Sequence, residues 1–183
     1  MSINEFQIEL SHELINEAGD INTIKQLVLN GAKLNYQTKN GWCIVLESVV
    51  LGLDDTLKEI VQMGANINIK DTKGRNALFW AIFHEDTAMV NTLIKLGIDL
   101  TQDVYSNLPA LHYAVYKGNV DIAKCLLENG IDIDNLDNLD STPLIFAYLN
   151  GKNTMIEFLE NNGANIEHID ILGNSPINLK IKD

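Results

Sequence analysis

A spacing of 33 residues recurs along the sequence, and no other feature constrains the fold as strongly. The turn glycines that follow the apolar segments keep this spacing: Gly31, Gly64, Gly97, Gly130 and Gly163. A second column in the same register contains Gly41, Gly74, Asn107, Asp140 and Gly173. A third column contains Gly19, Gly52, Glu85, Gly118 and Gly151. Self-similarity at one fixed period of about 20–50 residues is typical of repeat architectures, so the sequence predicts an array of short, similar units.

The most regular copy shows how one unit is built. Thr142 is a suitable N-cap, and Pro143 is a suitable first helical residue because that position needs no N–H. Gly151 then ends the first helix, since glycine adopts the left-handed conformation after a helix without strain. A second helix is predicted over 153–161, and residues 164–173 are predicted to form an extended finger with a turn. Each unit is therefore a pair of short helices followed by a finger.

The second helix of the fourth copy indicates that such units must stack. Val120, Ala123 and Leu127 lie on one helical stripe, and Ile122 and Leu126 lie on an adjoining stripe. A pair of helices of about ten residues cannot bury so wide an apolar surface alone. Neighbouring units can cover it, so the whole chain, 1–183, is expected to form a single repeat domain.

The period and the order of the elements resemble those of the ankyrin repeat family, whose units also carry a T-P-L-H-x-A phrase. The segments at the position of this phrase are Cys43–Leu46, Asn76–Phe79, Pro109–His112, Thr142–Ile145 and Ser175–Asn178. The alanine of the phrase is kept as Ala81, Ala114 and Ala147. The resemblance covers about residues 19–180. It implies an all-α solenoid of stacked helix–turn–helix units with β-turn fingers.

The register divides the chain into units with polar ends. The predicted units are 1–37 as the N-terminal cap, 38–70, 71–103, 104–136, 137–169 and a truncated C-terminal cap, 170–183. Terminal units of an array expose one face, which must be more polar. In the first helix, one face that is expected to be solvated carries a glutamate at every fourth residue: Glu5, Glu9, Glu13 and Glu17. Lys180 replaces the buried alanine in the last unit, as expected where nothing stacks beyond it.

Net charge argues against nucleic acid as a ligand. The formal net charge is −12, and only 13 residues are Lys or Arg. Nucleic-acid binding requires clustered cations that neutralise phosphates, and this sequence shows no such cluster. An acidic surface repels nucleic acid and anionic lipid and attracts basic partners, although acidity also serves solubility alone.

The sequence also lacks the features of a membrane or classically exported protein. No apolar run approaches the roughly 18–20 residues of a membrane span. The N-terminal segment lacks the basic start and apolar centre of a signal peptide. A cytoplasmic location is expected, and export by non-classical routes stays open.

No catalytic, metal or cofactor site is predicted. Cys43 and Cys125 fall in different units, so they are expected to be free core residues in a reducing compartment. The acidic stretch 132–140 lacks the glycine and the glutamate of an EF-hand, so a finger turn is the better interpretation. His112 stands at the histidine of the T-P-L-H phrase, and the resemblance implies that it braces the finger backbone.

The resemblance implies a non-enzymatic module that binds proteins. In ankyrin repeats the fingers and first helices form a groove that grips a folded protein or a segment of one. The expected partner is therefore a protein, with the acidic surface favouring a basic one, and the expected state is a monomer or a heterocomplex. Neutralisation of a cognate toxin or enzyme (an immunity-type role), action as a host-directed effector, and an adaptor or assembly-scaffold role all stay open.

The resemblance also implies which side chains face a partner. In ankyrin repeats the exposed positions flank the finger glycine or lie late in the first helix. Transferred by register, the predicted partner-binding residues are Trp42, Arg75, Phe83, His84, Tyr105, Leu108, Tyr116, Lys117, Leu139 and Leu149. One helical turn earlier, Trp80, Tyr113 and Phe146 are predicted to belong to the core. The alternative for the exposed aromatic set is that it too packs between units.

Overall fold

Paired helices repeat at one interval along the part of the chain that the structure describes. A computed structural model describes residues 3–180, which contain eleven α-helices and no extended strand. The first helices of the successive pairs are α1 (Ile3–Asn16), α3 (Ile44–Val50), α5 (Ala77–Phe83), α7 (Ala110–Lys117), α9 (Pro143–Leu149) and α11 (Pro176–Lys180). The second helices are α2 (Ile21–Leu29), α4 (Asp54–Gln62), α6 (Thr87–Lys95), α8 (Val120–Glu128) and α10 (Asn153–Asn161). The all-α solenoid predicted from the sequence is confirmed.

The ends of α9 and α10 follow the chemistry of their terminal residues. The Thr142 hydroxyl accepts the backbone N–H of Ile145 at 3.3 Å, and Pro143 is the first residue of α9. Gly151 follows the C-cap of α9 in the left-handed region, with φ 61°. The predicted second helix over 153–161 is confirmed to the residue.

The core lies between successive helix pairs. Each first helix from α3 to α9 contacts the first helix of the next pair, and α6, α8 and α10 contact each other in the same way. Leu78, Leu111 and Leu144 stand one repeat apart on the first helices, and all three are fully buried. Small residues at the alanine column, such as Ala114 and Ala147, are also buried and let the stacked helices approach each other. The last unit departs from this pattern, because Ile177 at the leucine column is 43% exposed.

The polar ends predicted for the array are present. Three of the predicted glutamates lie along α1 and the fourth, Glu17, follows it directly; all four are exposed. At the other end Lys180 is also exposed, and its ammonium lies 3.2 Å from Oε1 of Glu160 on α10. A charged residue thus stands where the inner units bury an alanine.

His112 braces the neighbouring finger, as the resemblance implied. Its Nε2–H donates to the backbone carbonyl of Ser141 at 2.9 Å, and the side chain is fully buried. Burial lowers the pKa of the imidazole, so His112 is neutral in the folded protein near neutral pH. Both cysteines are free and buried, as predicted.

A ladder of side-chain amides and carboxylates links most neighbouring units. Asn35 Oδ1 accepts the backbone N–H of Asn66 at 2.7 Å, and Asn68 Oδ1 accepts that of Asp99 at 2.9 Å. Asp134 Oδ1 accepts the backbone N–H of Asn165 at 2.8 Å. Residue 101 is the equivalent position between Asn68 and Asp134. It is a threonine, and the ladder is interrupted there. The side chain of Thr101 instead bonds locally to Asp99.

Truncating one leucine of the buried column should destabilise the array strongly. Leu144→Ala is expected to lower the free energy of unfolding by about 2–5 kcal/mol, because it leaves a cavity between α7, α9 and α11. Leu149→Ala, on the same helix at a side chain that is 50% exposed, is the control and should cost far less. Urea unfolding measures both, and equal effects would contradict the assigned register.

Replacing His112 should weaken the dependence of stability on pH. The folded state holds the pKa of His112 below its ordinary value of 6.5, so the unfolded state binds the proton more readily. Stability is therefore lost as the pH falls through 6.5 towards 5. In His112→Gln, whose amide can still donate to Ser141, this loss should shrink. The free energies of unfolding at pH 7 and pH 5 test this, and equal losses in the two proteins would contradict it.

Candidate functional site

Three of the finger turns are closed by the same carboxylate contact. Asp71 Oδ1 accepts the backbone N–H groups of Lys73 at 2.9 Å and Arg75 at 3.0 Å. Asp137 and Asp170 do the same two and four residues further along their own fingers. These contacts confirm that the acidic stretch 132–140 contains a finger turn. In the finger between those of Asp71 and Asp137, the equivalent residue is Val104. Its side chain is fully buried and carries no hydrogen-bond acceptor.

The finger at 104–108 therefore forms a different turn. In the 71–75 finger only Gly74 has a positive φ, whereas here both Ser106 (44°) and Asn107 (61°) do. The N–H of Leu108 donates to the carbonyl of Tyr105 at 2.7 Å. Two central residues with positive φ, closed by such a bond, are typical of a type I′ turn. The tip of this finger is thus shifted by one residue relative to the others.

This finger also lacks the backbone bond that joins other neighbouring fingers. The N–H of Thr72 donates to Asn40 O at 3.2 Å, and the N–H of Ile171 donates to Leu139 O at 3.1 Å. Among residues 3–180, no backbone hydrogen bond joins the tip at 105–108 to either adjacent finger. The tip of this finger is therefore not bonded to its neighbours through the backbone, although the N–H of Asn76 donates to Val104 O at the base of the finger.

An open cleft of about 510 Å³ lies beside this turn. We call it the aromatic cleft. Its lining comes from two fingers and three first helices and consists of Lys73, Arg75, Phe79, Tyr105, Ser106, Leu108, Tyr113, Tyr116, Phe146 and Asn150. The cleft therefore spans three successive units.

Ring contacts join four of the lining residues. Phe79 stacks on Tyr113, with ring centroids 4.8 Å apart and planes at 13°. Tyr113 in turn stacks on Tyr116 at 6.2 Å, and Phe79 also contacts Tyr105 at 5.3 Å. Burial raises the pKa of the Tyr113 phenol, which therefore stays protonated at neutral pH. Contacts between aromatic rings contribute beyond simple burial, so they hold these side chains in place without a partner.

Arg75 is fixed at the edge of the aromatic cleft. Its Nε and Nη2 atoms each lie 2.6 Å from Oδ2 of Asp71, whose side chain is almost fully buried. Its guanidinium carbon lies 4.3 Å from the ring centroid of Trp80 and 5.6 Å from that of Phe79. An arginine held by two such contacts and by an aromatic face loses little further freedom on binding.

The charge of the aromatic cleft is opposite to that of the protein as a whole. The formal net charge of the chain is −12, yet the cleft is lined by Lys73 and Arg75 and by no carboxylate. The ammonium of Lys152 also lies 5.5 Å from the ring centroid of Tyr116. The aromatic cleft is therefore a locally cationic surface on an acidic protein.

Four of the predicted partner-binding residues meet in the aromatic cleft: Arg75, Tyr105, Leu108 and Tyr116. Four more lie in or beside a row of rings that continues from Phe79 and Trp80: Trp42, Phe83, His84 and Lys117. Within this row Trp42 is half-buried against Trp80 and donates its indole N–H to Glu47. The remaining two, Leu139 and Leu149, are exposed but do not line the cleft.

The core prediction for one helical position is confirmed at Tyr113 and is met only in part at Phe146 and Trp80. Tyr113 is 6% exposed but forms part of the cleft wall, and Phe146 is only half-buried and also lines the cleft. Trp80 is half-buried as well, because Arg75 and Trp42 cover it only partly. Tyr113 and Phe146 line the cleft together with the altered finger, whereas Trp80 lies outside the cleft lining.

Sequence reasoning also missed several wall residues. Phe79 stands at the position that His112 occupies in the next unit, and this replacement of the brace histidine by an aromatic was an available signal. Ser106 and Asn107 were another signal, because this finger has neither the usual aspartate nor the usual glycine. Lys73 and Asn150 carry no comparable signal.

The chain belongs to the ankyrin repeat family. A family model described as ankyrin repeats (3 copies) matches residues 12–104 and 101–170. A search of curated proteins found no match. Ankyrin repeats indicate a protein–protein interaction module, and the family is typically non-enzymatic.

Two further features of residues 3–180 bear on other kinds of site. In this part of the chain, no three His, Cys, Asp or Glu side chains come close enough together to hold a metal ion. Nor does it contain a helix with the length and apolar character that a membrane crossing requires.

Close contact between regular fingers can be tested with two glycines of one column. Gly41 and Gly74 have φ values of 77° and 75°, so alanine at either costs about 1–2 kcal/mol of backbone strain. A Cβ on Gly41 would also lie 2.6 Å from the Thr72 backbone nitrogen, whereas a Cβ on Gly74 would meet nothing within 4 Å. Gly41→Ala should therefore destabilise the protein by about 1–3 kcal/mol more than Gly74→Ala. Chemical denaturation measures the difference, and equal losses would show that the fingers separate freely.

Proposed function

We propose that this protein binds a partner protein through the aromatic cleft and the row of rings beside it. The observation that supports the proposal is a set of exposed aromatic side chains around an open cleft. Tyr116 is 51% exposed, Phe83 46% and Tyr105 37%. Contiguous exposed apolar groups of this kind mark interaction sites on soluble proteins.

The binding mechanism is rigid complementarity. Aromatic side chains offer a large contact area and have only two side-chain torsions to restrict. Here Tyr105 and Tyr116 are already held by ring contacts, and Arg75 is already held by Asp71. A preformed surface of this kind costs little conformational entropy on association, so more of the contact energy appears as affinity.

Stability of the fold does not require these side chains to be aromatic. The buried column of first-helix leucines and the alanine column already fill the space between units. Tyr105 lies in a finger and Tyr116 lies late in α7, and both project beyond that core. Their size therefore favours a role in recognition.

Within this function, neutralisation of a cognate toxin or enzyme is the specific role that we propose. A small acidic binding module can act by covering the working surface of its target. Acidic residues between Asp121 and Asp140 would speed association with a partner that carries basic regions elsewhere on its surface. Effector and adaptor roles use the same surface, and the identity of a co-purified partner distinguishes them.

Removing two anchors should abolish binding without unfolding the protein. Tyr105→Ala combined with Tyr116→Ala removes both exposed tyrosines of the aromatic cleft, and each anchor commonly contributes at least about 2 kcal/mol to binding. The partner is first obtained by stoichiometric co-purification from the native cells and identified by mass spectrometry. Its affinity is then measured by calorimetry for the wild type and for the double variant.

A variant on the second-helix side serves as the control. Leu29→Ala changes an exposed apolar residue at the end of α2 and should leave the affinity unchanged. Intact folding with lost affinity in the double variant supports the proposal. Unchanged affinity contradicts it. If the double variant folds poorly but the fraction that still folds binds normally, the tyrosines belong to the core.

A further inference from the structure

We propose that the aromatic cleft takes an acidic segment of the partner, with a carboxylate beside an apolar side chain. This inference rests on the proposed function and specifies the chemistry of the bound segment. Local charge is the first observation that favours it. The lining holds two cations and no carboxylate in a chain whose net charge is −12.

The contacts of Arg75 leave one edge of its guanidinium available. Among residues 3–180, its hydrogen bonds and its ion pair use only Nε and Nη2, and both atoms bind Oδ2 of Asp71. The N–H groups of Nη1 and the second N–H of Nη2 have no hydrogen-bond partner in this part of the chain. Two neighbouring nitrogens of one guanidinium match the two oxygens of a carboxylate. The side chain is also held in place, so it can accept such a ligand without reorganisation.

Lys73 supplies a second cation at the same wall. Its backbone N–H binds Asp71, but its ammonium forms no salt bridge within residues 3–180. Because Asp71 already neutralises Arg75 in part, Lys73 gives the lining its uncompensated positive charge. A carboxylate placed between the two side chains would interact with both.

The aromatic part of the lining favours an apolar neighbour to that carboxylate. Phe79, Tyr113 and Tyr116 present a continuous set of rings, and Leu108 completes the apolar surface. A basic segment would meet Lys73 and Arg75 without a carboxylate to pair with. A nucleic acid would also meet aromatic and cationic groups here, but the large net negative charge of the protein repels a polyanion at longer range.

Peptide selection tests the inference even while the partner is unidentified. Random 12-residue peptides displayed on phage are selected against the full chain, and the recovered peptides are measured by fluorescence anisotropy. We expect sequences in which Asp or Glu adjoins a large apolar residue. Their binding should be lost in the Tyr105→Ala, Tyr116→Ala double variant. Neutral versions, with Asn for Asp and Gln for Glu, should bind at least about tenfold more weakly.

Charge reversal provides the matched comparison. Lys73→Glu should lower the affinity for the acidic peptides by at least about tenfold, since it replaces attraction with repulsion. Lys124→Glu makes the same change at an exposed position on α8 and should leave the affinity within about twofold. The thermal unfolding midpoints of both variants confirm that folding is intact.

Each other result overturns the inference in a distinguishable way. If the selected peptides are neutral or basic and their binding still requires Tyr105 and Tyr116, the inference of an acidic segment is wrong and the proposed function stands. Peptides that bind equally well to the double variant would overturn both. Displacement of the peptides by an equal concentration of single-stranded oligothymidylate would assign the aromatic cleft to nucleic acid instead.

Discussion

Burial of the apolar stripes between successive helix pairs is the constraint on which the rest of this structure depends. Leu78, Leu111 and Leu144 are each covered only because another unit lies against them. No pair of helices this short could bury such surface alone. The stacking fixes the 33-residue period, and the period in turn brings the fingers into one row. Helix packing therefore determines where each finger begins, whereas the local turn chemistry determines what shape it takes.

That division explains how one finger can differ without disturbing the fold. At position 104 a valine replaces the aspartate whose carboxylate closes the neighbouring turns, and its side chain is buried in the core. Ser106 and Asn107 then accept positive φ values, which asparagine tolerates better than most residues and serine less well. The cost of this turn is local, while the core beneath it retains Leu111 and His112. The altered backbone of this finger thus forms one side of the aromatic cleft.

The sequence predicted the fold more completely than it predicted the candidate site. The helix boundaries recur at the 33-residue period, so one copy with clear signals, such as the N-cap Thr142 and the proline after it, indicates the others. This holds even at α3 and α7, where Cys43 and Pro109 provide no side-chain cap. Site residues were transferred on the assumption that every finger has the same shape. Arg75 and Tyr116 lie outside the altered turn, and both line the cleft. Phe146 is packed against the core but only half-buried, and it lines the cleft, which the transferred register did not indicate.

The interruption of the polar ladder at Thr101 also has a mechanical consequence. Between 71–103 and 104–136 the side-chain ladder and the bond between finger tips are both missing. The N–H of Asn76 still donates to Val104 O at 3.3 Å, Lys117 pairs with Glu85, and α5 and α6 contact α7 and α8, respectively. This junction is therefore held by helix packing and by bonds away from the finger tips. Since walls of the aromatic cleft stand on either side of it, any change in the curvature of the array at this junction would also change the width of the cleft.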